Sequence, residues 1–168
     1  MRELRVVEIR VSTGDAPPLV VLAEVGGAER LLPVWMSHSG ASAIFTATDE
    51  PDVARPSIHD LASRLAASAT QPLQAARITA YDDGQFFAEL VFGGHSVSAR
   101  PSDAIALALR AGCPIQCADE VLDQAGVTAP PAAVPTAAGE PPDDEVERFR
   151  EFLDKVTPED FTGDDGKP

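Results

Sequence analysis

Side chains able to do chemistry gather in two short polar segments of this chain. His59 and Asp60 stand side by side in Arg55-Pro56-Ser57-Ile58-His59-Asp60-Leu61, and Arg100, Ser102 and Asp103 cluster in Ala99-Arg100-Pro101-Ser102-Asp103. An imidazole can accept a proton or bind a metal, carboxylates can hold Mg²⁺ or Mn²⁺ or position a water, and a guanidinium can grip a phosphate through parallel hydrogen bonds. These types together could contact a phosphate and hold a divalent cation. His59 would be base or ligand, Asp60 and Asp103 metal ligands or water positioners, and Arg100 the phosphate contact, with Ser102 a hydroxyl in the same cluster. Each also has an architectural duty open to it. Adjacent positions on a helix point about 100° apart, so His59 and Asp60 alone do not make a ligand pair for one ion. Ser57-x-x-Asp60 fits a capping box, His59 could bond a neighbouring carbonyl, and Asp103 suits the first turn of a helix. Arg100 could clasp Asp103 or Asp60. His38 and His95 are weaker candidates, and with three histidines in all the chain is too poor for a multi-histidine phosphohydrolase centre.

The elements that must carry these groups are legible from their punctuation. Pro101 suits a helix entrance, Ser102 can cap, and Gly112 followed by Pro114 ends the helix, which predicts a short helix over Ser102 to Ala111 with Ile105, Ala108 and Leu109 toward the core. Ser57 to Ala69 predicts a second helix whose apolar face is Ile58, Leu61 and Leu65, and Ser37 to Thr48 a third. Gly26-Gly27, Asp83-Gly84 and Gly93-Gly94 are two-residue hairpin signals between apolar runs. Across the last of them a tight turn sets Phe92 against His95, Leu90 against Val97 and Ala88 against Ala99. The first strand changes parity at Val6 and Val7, with Leu4 and Val6 pointing one way and Val7, Ile9 and Val11 the other, which predicts a bulge or a strand buried on both faces. Hairpins with helices between them predict an α+β fold with a mainly antiparallel sheet, and argue against a doubly wound nucleotide fold.

The order of these segments resembles the bifunctional nuclease domain family. The resemblance is carried by R-P-x-x-H-D-L at Arg55 to Leu61, L-P-V-W at Leu32 to Trp35, and A-R-P-S-D-A-I-A-L-A-L at Ala99 to Leu109, and it covers about Met1 to Gly126. It implies an α+β domain of a kind with DNase and RNase activity in some members. This chain departs from the family pattern at two acids. Gly40 stands in Ser37-His38-Ser39-Gly40-Ala41 where the family usually has G-x-x-E-A, and Ala80 ends Ile78-Thr79-Ala80 where I-T-D is common. Two functions therefore fit the sequence. One is a metal-assisted nuclease on single-stranded or flexible nucleic acid; the other is a non-catalytic interaction or regulatory module of the same fold.

Charge limits the partners. Residues 1–127 hold 16 acids and 9 bases and residues 128–168 hold 11 acids and 4 bases, so each part carries −7 of the total of −14. Every base before residue 128 is arginine, so a nucleic-acid contact must be a local arginine patch rather than a global field. Arg2, Glu3, Arg5 and Glu8 interrupt the stretch where a signal peptide needs an apolar run, and no segment reaches membrane-spanning length, so a soluble cytoplasmic protein is expected. Cys113 and Cys117 match neither a redox motif nor a zinc pattern and read as reduced thiols. Residues 1–127 form the expected domain. Residues 128–142 read as a proline- and alanine-rich linker, 143–161 as an acidic amphipathic helix with Val146, Phe149, Leu153 and Val156 on one face, and 162–168 as a disordered terminus. The helix is expected to fray, or to dock on its own or a neighbouring subunit; a homo-oligomer or a partner protein is the expected company, and the tail is expected to be dispensable for folding.

Overall fold

The computed structural model describes residues 1–11, 16–26, 30–50, 52 and 54–128. Gly27 of the first hairpin signal and the expected linker, acidic helix and terminus beyond Thr128 lie outside the described residues. The chain runs through β1 (Arg2–Arg10), β2 (Leu19–Glu24), β3 (Arg30–Trp35), α1 (His38–Phe45), α2 (Ile58–Ser68), β4 (Leu73–Asp82), β5 (Gln85–Phe92), β6 (His95–Ala99), α3 (Pro101–Ala111), β7 (Ile115–Cys117), α4 (Asp119–Ala125) and β8 (Val127–Thr128). The strands form one eight-stranded sheet in the order β6-β5-β4-β7-β1-β2-β3-β8. All its neighbours are antiparallel except β4 and β7, so the fold is α+β as expected. The three residues of β7 are the whole join between the β6-β5-β4 half and the β1-β2-β3-β8 half. No described helix is long and apolar enough to cross a membrane.

The hairpins follow the turn chemistry. Asp83 and Gly84 both take left-handed φ, +46° and +74°, the conformation that matches a two-residue turn to the strand twist. Across Gly93-Gly94 the register pairs Phe92 with His95, Leu90 with Val97 and Ala88 with Ala99. The first strand is bulged between Val6 and Glu8, as its change of parity demanded. Because Val7 is the extra residue, Ile9 returns to the side of Leu4 and Val6 and packs with their cluster, not with Val7.

The main core lies between the sheet and α1, α3 and α4, with Val20, Leu22, Leu32, Val34, Ile78, Ile105, Ile115 and Leu122 in one cluster. A smaller cluster of Leu19, Val21, Ala23 and Leu31 lies on the opposite face of β2 and β3, so β2 is buried on both sides. Free Cys117 is fully buried in β7, where burial pushes its thiol up to about 12, far from a reactive thiolate.

Two helix expectations need correction. The helix of the second polar segment begins at Pro101, its N-cap is Arg100, and no side chain caps it. Ser102 is inside the first turn and turned toward α1, so it does not cap. In α2 the stripe Ile58, Leu61 and Leu65 faces out, at 71%, 45% and 63% exposure, while Ala62 and Ala66 pack toward the core. The reason is polar. Asp60 is drawn toward α3 by an arginine, and that contact sets the rotation of α2 against the preference of its larger apolar residues.

Candidate functional site

Each polar segment ends in a helix start, and the two starts meet. Ser57 and Asp60 form a complete capping box: the Ser57 hydroxyl accepts from the Asp60 N–H at 3.2 Å, and the Ser57 N–H donates to Asp60 Oδ2 at 3.0 Å. This fixes the first turn of α2 and leaves His59 pointing at α3, where His59 Nε2 lies 3.1 Å from Asp103 Oδ1. Arg100 grips the same carboxylate with both arms of its fork, Nε to Oδ2 at 2.7 Å and Nη2 to Oδ1 at 3.2 Å. Asp103 is therefore shared between a histidine from one motif and an arginine from the other. Burial works against its charge, but the hydrogen bonds from Arg100 and His59 outweigh burial and hold its carboxyl below the usual range.

The guanidinium of Arg100 remains largely exposed. It borders a groove of about 520 Å³ walled by Trp35, Met36, Ser37, Tyr81 and Phe86, with Ser102 beneath it. The Tyr81 and Phe86 rings lie against each other at 4.6 Å between centroids. With Nε2–H donated to Asp103, the lone pair of His59 is on Nδ1. The arrangement joins an imidazole, a carboxylate and a guanidinium, the last of which borders an aromatic-walled groove.

Asp60 is elsewhere. Its Oδ1 accepts from Arg110 Nε at 2.8 Å and its Oδ2 from the Ser57 hydroxyl at 2.7 Å. Arg110, nearly buried at the far end of α3, also donates to the carbonyls of Ala43 and Ala106 at 2.8 and 3.3 Å and approaches the Thr46 hydroxyl at 3.3 Å. One guanidinium thus ties α1, α2 and α3 together. It has a sequence signal: Arg110 is seven residues, two helical turns, after Asp103 and so shares its face, about 10 Å along the axis. The expected clasp between the motifs exists, but as two bonds, His59 to Asp103 and Arg110 to Asp60, and Arg100 takes no part in the second.

This separation bears on Mg²⁺ and Mn²⁺. Both oxygens of Asp60 and both of Asp103 are already engaged, and their cationic partners sit at opposite ends of α3, so the two carboxylates do not form one ligand set. Among the described residues no three of His, Cys, Asp and Glu are grouped as a metal would need. Ser102 is buried against α1, where a Cβ on Gly40 would stand 2.7 Å from the Ser102 Cβ. His95 is stacked on Phe92 in the last hairpin, and His38 is exposed at the start of α1.

The hydrogen bonds from the Ser57 hydroxyl, Arg110 and the Ser57 N–H hold the Asp60 carboxyl down at about 2. A folded value below the unfolded one, about 3.9, gives stability that is present above about pH 4 and lost as pH falls through about 2. Acid unfolding followed by circular dichroism is expected to show this loss in the wild type. Asp60→Asn is expected to be less stable at neutral pH and to lack this share of the acid dependence.

A family model described as the bifunctional nuclease domain matches residues 20–130, from β2 to just past β8. The chain belongs to the bifunctional nuclease domain family. Two uncharacterized proteins of Mycobacterium tuberculosis, from strains CDC 1551 / Oshkosh and H37Rv, are each 43% identical to it over 162 residues, covering 96% of this chain and 98% of the relative. In this bifunctional nuclease domain both polar motifs lie inside the matched span, and His59, Arg100 and Asp103 are the members that converge.

Proposed function

We propose that the chain is a phosphodiesterase acting on single-stranded or flexible nucleic acid. His59 Nδ1 takes the proton of the attacking hydroxyl or water as its oxygen bonds phosphorus. The P–O bond to the leaving oxygen breaks, and that oxygen takes a proton from water or the imidazolium. Asp103 orients the ring and balances its charge, and Arg100 holds the phosphate. The observation that carries this reading is the shared Asp103 carboxylate, which ties the imidazole to the guanidinium that borders the groove. Tyr81, Phe86 and Trp35 offer stacking surface to unpaired bases, whereas a duplex keeps its bases inside and meets a net acidic surface. No step is routed through Mg²⁺ or Mn²⁺, because the engaged carboxylates do not fit a shared ion.

The test is cleavage of end-labelled single-stranded DNA and RNA by the purified full chain, with Mg²⁺, with Mn²⁺ and with EDTA. Cleavage of at least one substrate is expected, persisting in EDTA and lost in Arg100→Ala. Arg100→Lys is expected to recover only part of the rate, since an ammonium keeps the charge but not the fork. An absolute requirement for metal would remove the metal-free proton transfer. Failure to cleave under every condition would leave the interaction module, which the engagement of Asp60 by Arg110 and the small residues at 40 and 80 favour.

A further inference from the structure

The outer face of β1, β2 and β3 is buried, yet few described apolar residues pack on it. Leu19, Val21, Ala23 and Leu31 are 0–2% exposed, yet the apolar neighbours packed with them are Val7, Trp35 and Val127 at the margins. Ala43 and Ile44 of α1, the buried apolar residues of α3 and α4, and Ala62 and Ala66 of α2 belong to the cluster on the opposite face. Two side-chain atoms, Glu8 Oε2 and Trp35 Nε1, are buried with no hydrogen-bond partner among the described residues. Glu8 pairs across the ladder with Val21 and Trp35 with Leu19, which puts both on this same outer face. A face so dry has to be covered by another layer.

Elimination leaves one occupant. Outside the described residues, 12–15 (Ser-Thr-Gly-Asp) and 27–29 (Gly-Ala-Glu) are short and mostly polar, and Pro51 and Val53 are single positions between described neighbours. The remaining 40 residues follow Thr128. β8 pairs with Arg30 and Leu31 at the edge of β3, and Val127 packs on the buried face, so the chain leaves the described fold at the margin of this surface. It then supplies Val146, Phe149, Leu153 and Val156 at helical spacing. The similarity to the mycobacterial relatives spans 96% of the chain and so extends into this segment.

We propose that the C-terminal segment folds back over the outer face of β1, β2 and β3 as an amphipathic helix, seating Phe149 and Leu153 on Val21 and Leu31. The tail is then a structural layer rather than a dispensable appendage. Because Trp35 borders both this face and the groove beside Arg100, the same layer braces one wall of the groove.

Trp35 is the sole tryptophan, so it reports on the cover directly. In the full chain, Phe149→Asp with Leu153→Asp is expected to red-shift Trp35 emission, raise its quenching by acrylamide and lower Tm by at least about 5 °C. Glu151→Gln, on the opposite side of the helix, is expected to change none of these. Unchanged emission and quenching in the double variant would overturn the proposal. Should that variant fail to fold, the wild type answers without mutation. Nuclear Overhauser contacts from the Phe149 ring to the Val21 and Leu31 methyls are expected, and contacts from another segment to those methyls instead would overturn it. In a sample mixing differently labelled chains these contacts are expected within one chain. Contacts only between chains would assign the cover to a second copy and overturn the intramolecular arrangement.

Discussion

His59→Ala is expected to slow cleavage by about 10²- to 10⁴-fold, the range for loss of a positioned general base, while the melting temperature barely moves. Both halves follow from geometry. His59 is beside the packed face of α2, and its recorded polar contact is with Asp103, which keeps the two-armed grip of Arg100 when the ring is gone. No buried carboxylate is left unpaired, so the large penalty for that does not arise. His59→Asn sharpens the test, since its amide can still donate to Asp103 but cannot accept a proton at neutral pH; it is expected to be as slow as alanine and as stable as wild type. Rate on single-stranded substrate and Tm must be read on the same preparations. A variant that unfolds before its rate changes would reassign His59 to architecture.

Gly40→Ala is expected to be strongly destabilising. Its Cβ would stand 2.7 Å from the Ser102 Cβ and 2.9 Å from the hydroxyl, a distance at which one helix must shift. Overpacking of this kind costs roughly 1–3 kcal/mol, occasionally more. The reciprocal change separates this from a general dislike of substitution. Ser102→Gly opens the space, so the double variant is expected to recover most of the loss beyond the ordinary cost of a helical glycine, about 1 kcal/mol. Gly40→Glu is expected to fall at least as far as alanine. Chemical denaturation of the four proteins closes the cycle, and independent, additive losses would show that α1 and α3 do not press on each other here. The acid usual in the family at this position is therefore not a deletion to be repaired by one substitution. In this chain its place is filled by the approach of α3.

What could be read from the residues was whatever local chemistry decides. The Asp83-Gly84 turn, the register across Gly93-Gly94, the bulge at Val7 and the Ser57–Asp60 capping box each depend on groups within a few residues of one another, and each is present. The rotation of α2 was not legible, because it is decided by Arg110, fifty residues from Asp60. An arginine in the last turn of a helix reads from sequence as a complement to the dipole, and nothing nearby names its partner. Residues Asp119–Ala125 and Ile115–Cys117 went unassigned for another reason: seven and three residues are too few for a period to show. In the site, the residue types were legible and their convergence was not. His59, Arg100 and Asp103 meet, while Asp60, equally suggestive in sequence, is held by its own cation.

The short strand β7 has a kinetic consequence. Leu73 to Ala99 can zip into hairpins as soon as that stretch exists, and β1 to β3 likewise, because their pairings are near in sequence. The two units become one sheet only when Ile115–Cys117 slides between β1 and β4, pairing with residues 2–4 on one side and 76–78 on the other. A chain growing from its N-terminus must therefore hold β1 with an open edge until more than a hundred further residues have been made. Closure of that long loop is the slow, entropy-limited event in such a topology. Until then the exposed edge is where a second nascent chain would pair, so the three-residue strand sets the time during which this protein is most vulnerable to misassembly.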